Sequence, residues 1–398
     1  MGLRSPLGNT PGALVEALKA GKSGIRAMPE WSNLEGMRAR VAGLVDDLGD
    51  VKRIPRSSRR SMGRVALLSG LAAVDAWTDA GLTEDDLRGP RAGVAFGSTA
   101  GSVSAEQGFV EQVMQHRSLI GMQSSTYLQI MTHTCAANLG VFAGVQGPVI
   151  ATCSACTSGS QGIGVGYQQI KLGSADIMIT GGAEEMHFLA GAVFDIMRAT
   201  SGRTDPETAS RPFDARRDGL VVSEGAGCLV LEEREHARQR GATVHAELVG
   251  YGTSCNGVHM TNSDPNGIRL SILGALRDAK LNPDDIGYIN AHATATDVGD
   301  RAEAEATHEI FGDQVPVSSL KGHMGHTLGA SGALESIASI LMLKEGVLVH
   351  TKNLEHPDPE NRPLDHIMGA PRERRVTHIM NNNFAFGGIN TSLVFAVA

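Results

Sequence analysis

Short apolar runs alternate along the chain with longer stretches in which apolar residues recur every three or four positions. The runs at 92–96, 148–150, 176–180, 227–231, 244–249, 287–290, 315–318, 378–381 and 393–396 predict strands. The helical spacing predicts helices over 10–21, 60–81, 103–116, 157–173, 232–240, 268–281, 300–311 and 327–345. Alternation of this kind gives α/β layers, sheets with helices on their faces. The stretch 204–216, rich in charge, Ser and Thr, predicts an exposed loop.

Half a chain length separates two similar segments. Residues 70–87 and 272–286 each read as an amphipathic helix ending at a polar turn, with Asp79 answering Asp278 and Asp86 answering Asp285 at the same offset. A short apolar strand follows in both. The repeat predicts a duplicated α/β fold with halves at 1–240 and 241–398. The second half opens with the strand at 244–249, whereas Met1-Gly2-Leu3 has no strand before it. A front strand is therefore expected to be missing from the first half.

Composition narrows the class. A chain of 398 residues with 49 glycines and 4% aromatics builds its core from Ala, Val, Ile and Leu at close backbone spacing. A net charge of −8 argues against nucleic acid as the main partner. Five cysteines, an odd number, point to a reducing compartment, and cytoplasmic location is the expectation. No apolar run approaches membrane-spanning length, so no membrane association is expected. Cys153 and Cys156 form a C-x-x-C, but the second pair that a zinc ribbon needs is absent, and no metal is expected.

Candidate chemistry begins at Cys156, where the run Ala151-Thr152-Cys153-Ser154-Ala155-Cys156-Thr157-Ser158-Gly159 joins a predicted strand to a predicted helix. A thiol at such a turn meets helix N–H groups, which favour the thiolate, and small neighbours leave room for a thioester carbonyl. The run alone also fits a buried structural cysteine. Further along, His292 ends a strand and is followed by Thr294 and Thr296. Lys321, His323, His326 and Glu335 share one strand-loop-helix unit. A Gly-rich turn with Phe384 and Phe386 joins the last two strands. Two histidines just past strand ends lie where α/β folds gather their active sites.

Taken together, these segments resemble the β-ketoacyl-[acyl-carrier-protein] synthases of the thiolase superfamily, of the elongating type with a Cys-His-His triad. The anchors are Ala155–Gly159, Arg211–Gly219, Glu224–Gly227, the two histidine segments and Phe384-Ala385-Phe386-Gly387-Gly388. The resemblance implies thiolase-like duplicated halves in an α-β-α-β-α layering, and a decarboxylative Claisen condensation that extends an acyl chain by two carbons in fatty acid elongation. It implies catalytic roles for Cys156, His292, His326 and Lys321, with Lys321 supporting the histidines and Glu335 in the same polar network. The backbone N–H groups of Cys156 and Phe386 would form the oxyanion hole. Thr294 and Thr296 match hydroxyls that hold phosphopantetheine, and Phe386 matches the gate between acyl and malonyl pockets, with Phe384 and Thr261 beside it. His323 is expected only to line the loop, and Cys153 to return to the core.

The resemblance also implies partners. No cofactor is bound, since substrates arrive on the phosphopantetheine of acyl carrier protein. Lys52, Arg53, Arg56, Arg59, Arg60 and Arg64 form a basic cluster suited to an acidic carrier, and Arg203 matches a carrier-contacting position. A homodimer is implied, with a heterodimer of related subunits as the alternative. A thiolase would need a second cysteine near the C-terminus, and a starter enzyme would have Asn at position 326. A non-catalytic scaffold or chain-length subunit typically lacks the nucleophile. Ala293, Ala295 and Asp297 stand where Gly, Ser and Pro are more common, and Ala385 where Gly is usual. These departures are expected to narrow the pantetheine channel or stiffen the gate, and they raise a specialised polyene or polyketide-like pathway as the alternative.

Overall fold

Two sheets with one strand order carry the fold, in a computed structural model that describes residues 1–398. The first runs Gly2–Arg4, Gly225–Glu232, Ile177–Glu184, Ala92–Gly97, Val149–Thr152. The second runs Glu247–Cys255, Ile389–Ala396, His378–Phe384, Tyr288–Asn290, Pro316–Ser318, with the short strand Asp365–His366 added at its end. In both, the first two contacts are antiparallel and the next two parallel. The duplicated fold is thus present strand for strand. One correction follows: the front strand of the first half is not missing. Gly2–Arg4 pairs with Ala226–Cys228 in the place that Glu247–Cys255 holds in the second sheet. Its three residues are too short a run for any periodicity to register.

The layers follow from which helix faces are apolar. Arg64–Asp79 and Thr134–Ala143 cover the outside of the first sheet, and Pro265–Ala279 with Asp297–Phe311 cover the second. Between the sheets lie Ser158–Lys171 and Ser331–Glu345. Every residue from Ser331 to Leu343 is buried, as a helix enclosed on all sides requires. The two central helices meet backbone to backbone. A side chain at Gly332 would run into Ser160, and one at Gly159 into the carbonyl of Gly329 and into Ala333. Gly there is needed for closeness, not for a turn.

Two of the helices longer than six residues carry no predicted counterpart. Thr134–Ala143 is built of small, mostly buried residues, and Phe188–Ile196 is apolar on every side, so neither shows a polar–apolar period. The stretch 204–216 is only partly an exposed loop. Residues 209–214 are buried, because Phe213 inserts into the core with its N–H on Asp300, and Asp214 accepts from Arg216 and from the N–H groups of Glu355 and His356. Cys153 is a further correction: it is exposed at the end of the edge strand Val149–Thr152, with Sγ 3.3 Å from the Thr99 carbonyl.

Replacing Gly332 by Val forces a branched side chain against Ser160. The expected cost is ~1–3 kcal/mol, the usual range for overpacking. It is read as a lower urea midpoint at unchanged m-value.

Candidate active site

Strand ends and tight turns bring Cys156, His292 and His326 together. Ala155, in the left-handed region at φ 49°, bends the chain so that Cys156 sits in a single 3-10 turn, Ala155–Thr157, before the helix Ser158–Lys171. A non-glycine residue there stores strain, the mark of a position fixed by its surroundings. Ala295 (φ 69°) follows His292 and Leu328 (φ 48°) follows His326, so each of the three loops holds one such residue. The thiol sulfur and one ring nitrogen from each histidine lie within 4.8 Å of one another, all three residues buried.

Each histidine is held by its backbone. The N–H of His292 donates to Glu303 Oε1 (2.9 Å) and that of Ala293 to Glu303 Oε2 (2.6 Å), so one buried carboxylate from the helix Asp297–Phe311 fixes the turn. The N–H of His326 donates to the Val221 carbonyl (2.7 Å), and Ser223 donates back to the His326 carbonyl (2.9 Å). The first half thereby grips the loop of the second. The Leu328 N–H points at His326 Nδ1 (3.3 Å), with the Ser331 hydroxyl 2.9 Å from the same atom. An accepting Nδ1 places the proton on Nε2, and that N–H finds no partner although buried. It is a buried donor left unpaired, on a ring that lines the same cavity as the thiol.

Electrostatics keep the histidines neutral. Burial, then the Lys321 charge, hold both well below the ordinary histidine range, and for His292 the neighbouring His326 adds to this. Lys321, 1% exposed, forms an ion pair with Glu335, whose other oxygen accepts from Asn383 (2.7 Å). Lys321 therefore acts on the histidines through charge, its hydrogen bond going to Glu335. The expectation for Cys156 needs correction. Burial, joined by the Glu184 charge, pushes the thiol up to about 12, outweighing the Lys321 charge and the N–H groups of Cys156 and Phe386, which pull the other way. The two N–H groups that favour the thiolate also mark where an oxyanion beside the sulfur would sit.

A cavity of about 540 Å³ leads to this cluster. Thr294 and Thr296, their hydroxyls 3.0 Å apart, line it together with Thr261, Phe384 and Phe386. The Phe386 ring leans on Phe194 at 5.7 Å between centroids. Ala295 lies outside the lining and is fully buried, with its N–H on Asp300. Asp297, at the cavity wall, is tied to Arg217 (2.8 Å). His323 lies outside the cavity, buried between the carbonyls of Lys22 and His350.

The basic residues divide. Arg64 is bound to the buried carboxylate of Glu224 and Arg53 to Asp75, so neither offers a free charge. Lys52, Arg56, Arg59 and Arg60 have no acidic partner; the Arg59 guanidinium donates to the Ile54 carbonyl (3.0 Å). Arg203 does not itself line the cavity; it pairs with Asp218 (3.5 Å), which does, and donates to the Arg216 carbonyl. Arg198 lines the cavity instead, exposed and without an acidic partner. Two residues escaped the sequence reading, Arg198 and Glu303. A carboxylate on the buried face of the helix Asp297–Phe311 was the available signal for Glu303.

Comparison with known proteins gives one result throughout. Residues 1–237 match the model of the β-ketoacyl synthase N-terminal domain, and residues 245–355 that of the C-terminal domain. The chain is 36% identical over 406 residues to the 3-oxoacyl-[acyl-carrier-protein] synthase 2 of Coxiella burnetii, covering 100% of this chain and 97% of that protein. A crystal structure of a β-ketoacyl synthase from Burkholderia phymatum superposes with a TM-score of 0.95 at 45% identity, covering 100% and 98% of the two chains. The ishigamide ketosynthase/chain length factor superposes at 0.92 with 31% identity, covering 100% and 97%.

A thiol at about 12 sets the pH course of alkylation. The rate with iodoacetamide should rise about tenfold per pH unit from 7 to 10, following the thiolate fraction. A plateau near pH 7 would show instead a thiolate already stabilised by its turn.

Proposed function

The chain belongs to the β-ketoacyl synthase family, and from that premise we propose how its cavity performs the family's condensation. It is a 3-oxoacyl-[acyl-carrier-protein] synthase, an acyltransferase of fatty acid elongation. The half at 1–240 supplies the nucleophile and the half at 241–398 both histidines. Cys156 attacks the thioester of an acyl-carrier protein, the carrier's thiol leaves, and the acyl group rests on the sulfur. The N–H groups of Cys156 and Phe386 hold the oxyanion, a device worth ~10²–10³ in rate per donor. Malonyl-carrier protein then enters and loses CO2. The electron pair left behind forms an enolate, whose oxygen accepts hydrogen bonds from His292 and His326. Its carbon attacks the acyl thioester and expels the Cys156 sulfur, which regains a proton, giving 3-oxoacyl-carrier protein.

One observation carries this reading: the buried, unpartnered Nε2–H of His326, on a ring that has one nitrogen within 4.8 Å of a His292 ring nitrogen and of the Cys156 sulfur. Neutral histidines suit the task, because a neutral ring donates one hydrogen bond without an acid's tendency to protonate the enolate carbon's competitor, the oxygen. Lys321 and Glu335 position them. Thr294, Thr296 and Thr261 receive the pantetheine arm, and Phe386 with Phe384 gates the acyl pocket. A retained nucleophile with both histidines speaks against a scaffold subunit, and the 36% identity to a fatty-acid synthase component favours elongation over a polyene or polyketide-like pathway.

Carrier protein docks on Arg56, Arg59 and Arg60, with Arg198 at the cavity mouth in the role expected of Arg203. The chain pairs with a second copy through the strand Val149–Thr152, whose outer edge is open and whose surroundings include Val141 (83% exposed) and Val149 (47%). No helix is long and apolar enough to cross a membrane. Free cysteines throughout support a cytoplasmic location.

Incubation with acyl-carrier protein should add one acyl mass to the peptide containing Cys156, and none to Cys156→Ala; an adduct elsewhere would overturn the assignment. Charge reversal of Arg59 and Arg60 to Glu should raise KM for carrier substrates by about tenfold at low salt, with kcat nearly unchanged and the difference shrinking at high salt. An unchanged KM would place docking elsewhere.

A further inference from the structure

Glu184 is a buried carboxylate that the reaction does not use. It ends the strand Ile177–Glu184 and is 4% exposed. Its Oε2 accepts the Thr99 hydroxyl (2.6 Å), the Thr99 N–H (3.3 Å) and the Gly329 N–H (3.0 Å). These donors come from opposite halves of the molecule. Thr99 follows the strand Ala92–Gly97, and the loop it belongs to supports the nucleophile turn: the Thr99 carbonyl takes Cys153 Sγ (3.3 Å), and the Ser98 carbonyl lies 3.3 Å from the Ser158 hydroxyl. Ser158 also receives the Ser154 N–H (3.0 Å), which closes the turn around Cys156. Gly329 belongs to the 3-10 turn Leu328–Ala330, whose first residue donates to His326 Nδ1.

No side chain fits between these turns. A Cβ on Gly329 would stand 2.9 Å from Ser98 Cα and Thr99 N, and 3.0 Å from Glu184 Oε2. One carboxylate oxygen is therefore the polar link by which the nucleophile's supporting loop and the histidine's turn are registered against each other.

We propose that Glu184 is a positioning residue for the condensation step, aligning the His326 turn with the turn that carries Cys156. It serves as a fixed acceptor, not as a proton donor or acceptor to substrate. The proposal rests on the reading of Cys156 and His326 given above. Alignment is where a small loss is amplified, since ~1 Å of misplacement costs on the order of 10²-fold in rate. The two half-reactions feel it differently. Acylation needs the thiol and the N–H groups of Cys156 and Phe386, whereas decarboxylation and condensation also need His326.

The test compares Glu184→Ala, Glu184→Gln and His326→Ala in the full chain. It follows acylation of Cys156 by mass spectrometry, CO2 release from malonyl-carrier protein, and overall condensation. Glu184→Ala should lose on the order of 10²-fold in kcat for CO2 release and condensation, with KM and the acylation rate within about threefold. Glu184→Gln, which keeps an acceptor oxygen, should recover most of that loss, to within about tenfold of wild type. Equal losses in both half-reactions, an unaffected Glu184→Ala, or a Gln variant as impaired as Ala would each overturn the proposal. If Glu184→Ala lacks a cooperative melting transition, Thr99→Val takes its place, and absence of the same split there is equally fatal. His326→Ala separates the two levels. If it keeps full CO2 release, the reading of His326 itself fails; if it loses CO2 release while Glu184→Ala does not, only the role of Glu184 fails.

Discussion

Everything at the active site depends on two helices meeting with no side chains between them. Ser158–Lys171 starts at the nucleophile turn and Ser331–Glu345 starts just after His326, and both are enclosed by the two sheets. Because Gly159 and Gly332 let their backbones touch, the starts of these helices are forced together. The proposed nucleophile and one of the proposed histidines are thereby placed by the helix starts themselves. Cys156 and His326 sit just ahead of the first turns of these two helices, so close packing of the central layer and alignment of thiol and imidazole are one constraint.

That arrangement has an electrostatic consequence. A site buried this deeply penalises every charge, and the chain answers by pairing each charge or by leaving the group neutral. Lys321 is matched by Glu335, which Asn383 also holds. Such a pair is weak evidence of net stability, since desolvation offsets much of its attraction, yet breaking it costs ~3–5 kcal/mol. Its benefit lies elsewhere. The lysine's charge keeps both imidazoles from protonating, while burial does the same to a greater degree. Burial keeps Cys156 a thiol until a thioester arrives among the N–H groups that can bear the charge.

How much of this was written in the residue pattern depends on whether a feature is local. The strand at 92–96 and the helix at 103–116 could be read because their periods are complete within a few residues. Cys156 and His292 stood out because each lies between a strand and a run of small residues, whereas the helix Lys321–Met324 stands between His326 and its strand. Gly2–Arg4 was hidden, because its strand character comes entirely from pairing with Ala226–Cys228. Arg64 looks like a free basic residue in the sequence because its partner Glu224 lies 160 positions away, and Arg203 because the chain must fold back for Asp218 to reach it. Glu184 was hidden for the same reason, and Glu303 offered only its place on a buried helix face: carboxylates whose donors are mostly backbone N–H groups have no partner that a sequence can name.

The departures in the first histidine segment can now be judged by where their side chains go. Ala295 sits at φ 69° with its side chain in the core and its N–H on Asp300, so it cannot narrow the channel. Ala293 does reach the lining, but Glu303 fixes its N–H, and a methyl group adds little bulk to a cavity of about 540 Å³. Asp297 is the departure with consequences. As the first residue of the helix Asp297–Phe311 it places a carboxylate where the helix N-terminus favours one. There it engages Arg217, which also pairs with Asp358 (2.6 Å). The wall along which a pantetheine arm would pass thus has its arginine held by two carboxylates. The consequence of Asp297 is therefore a channel wall tied by charge, set apart from the central helices that bring Cys156 and His326 together.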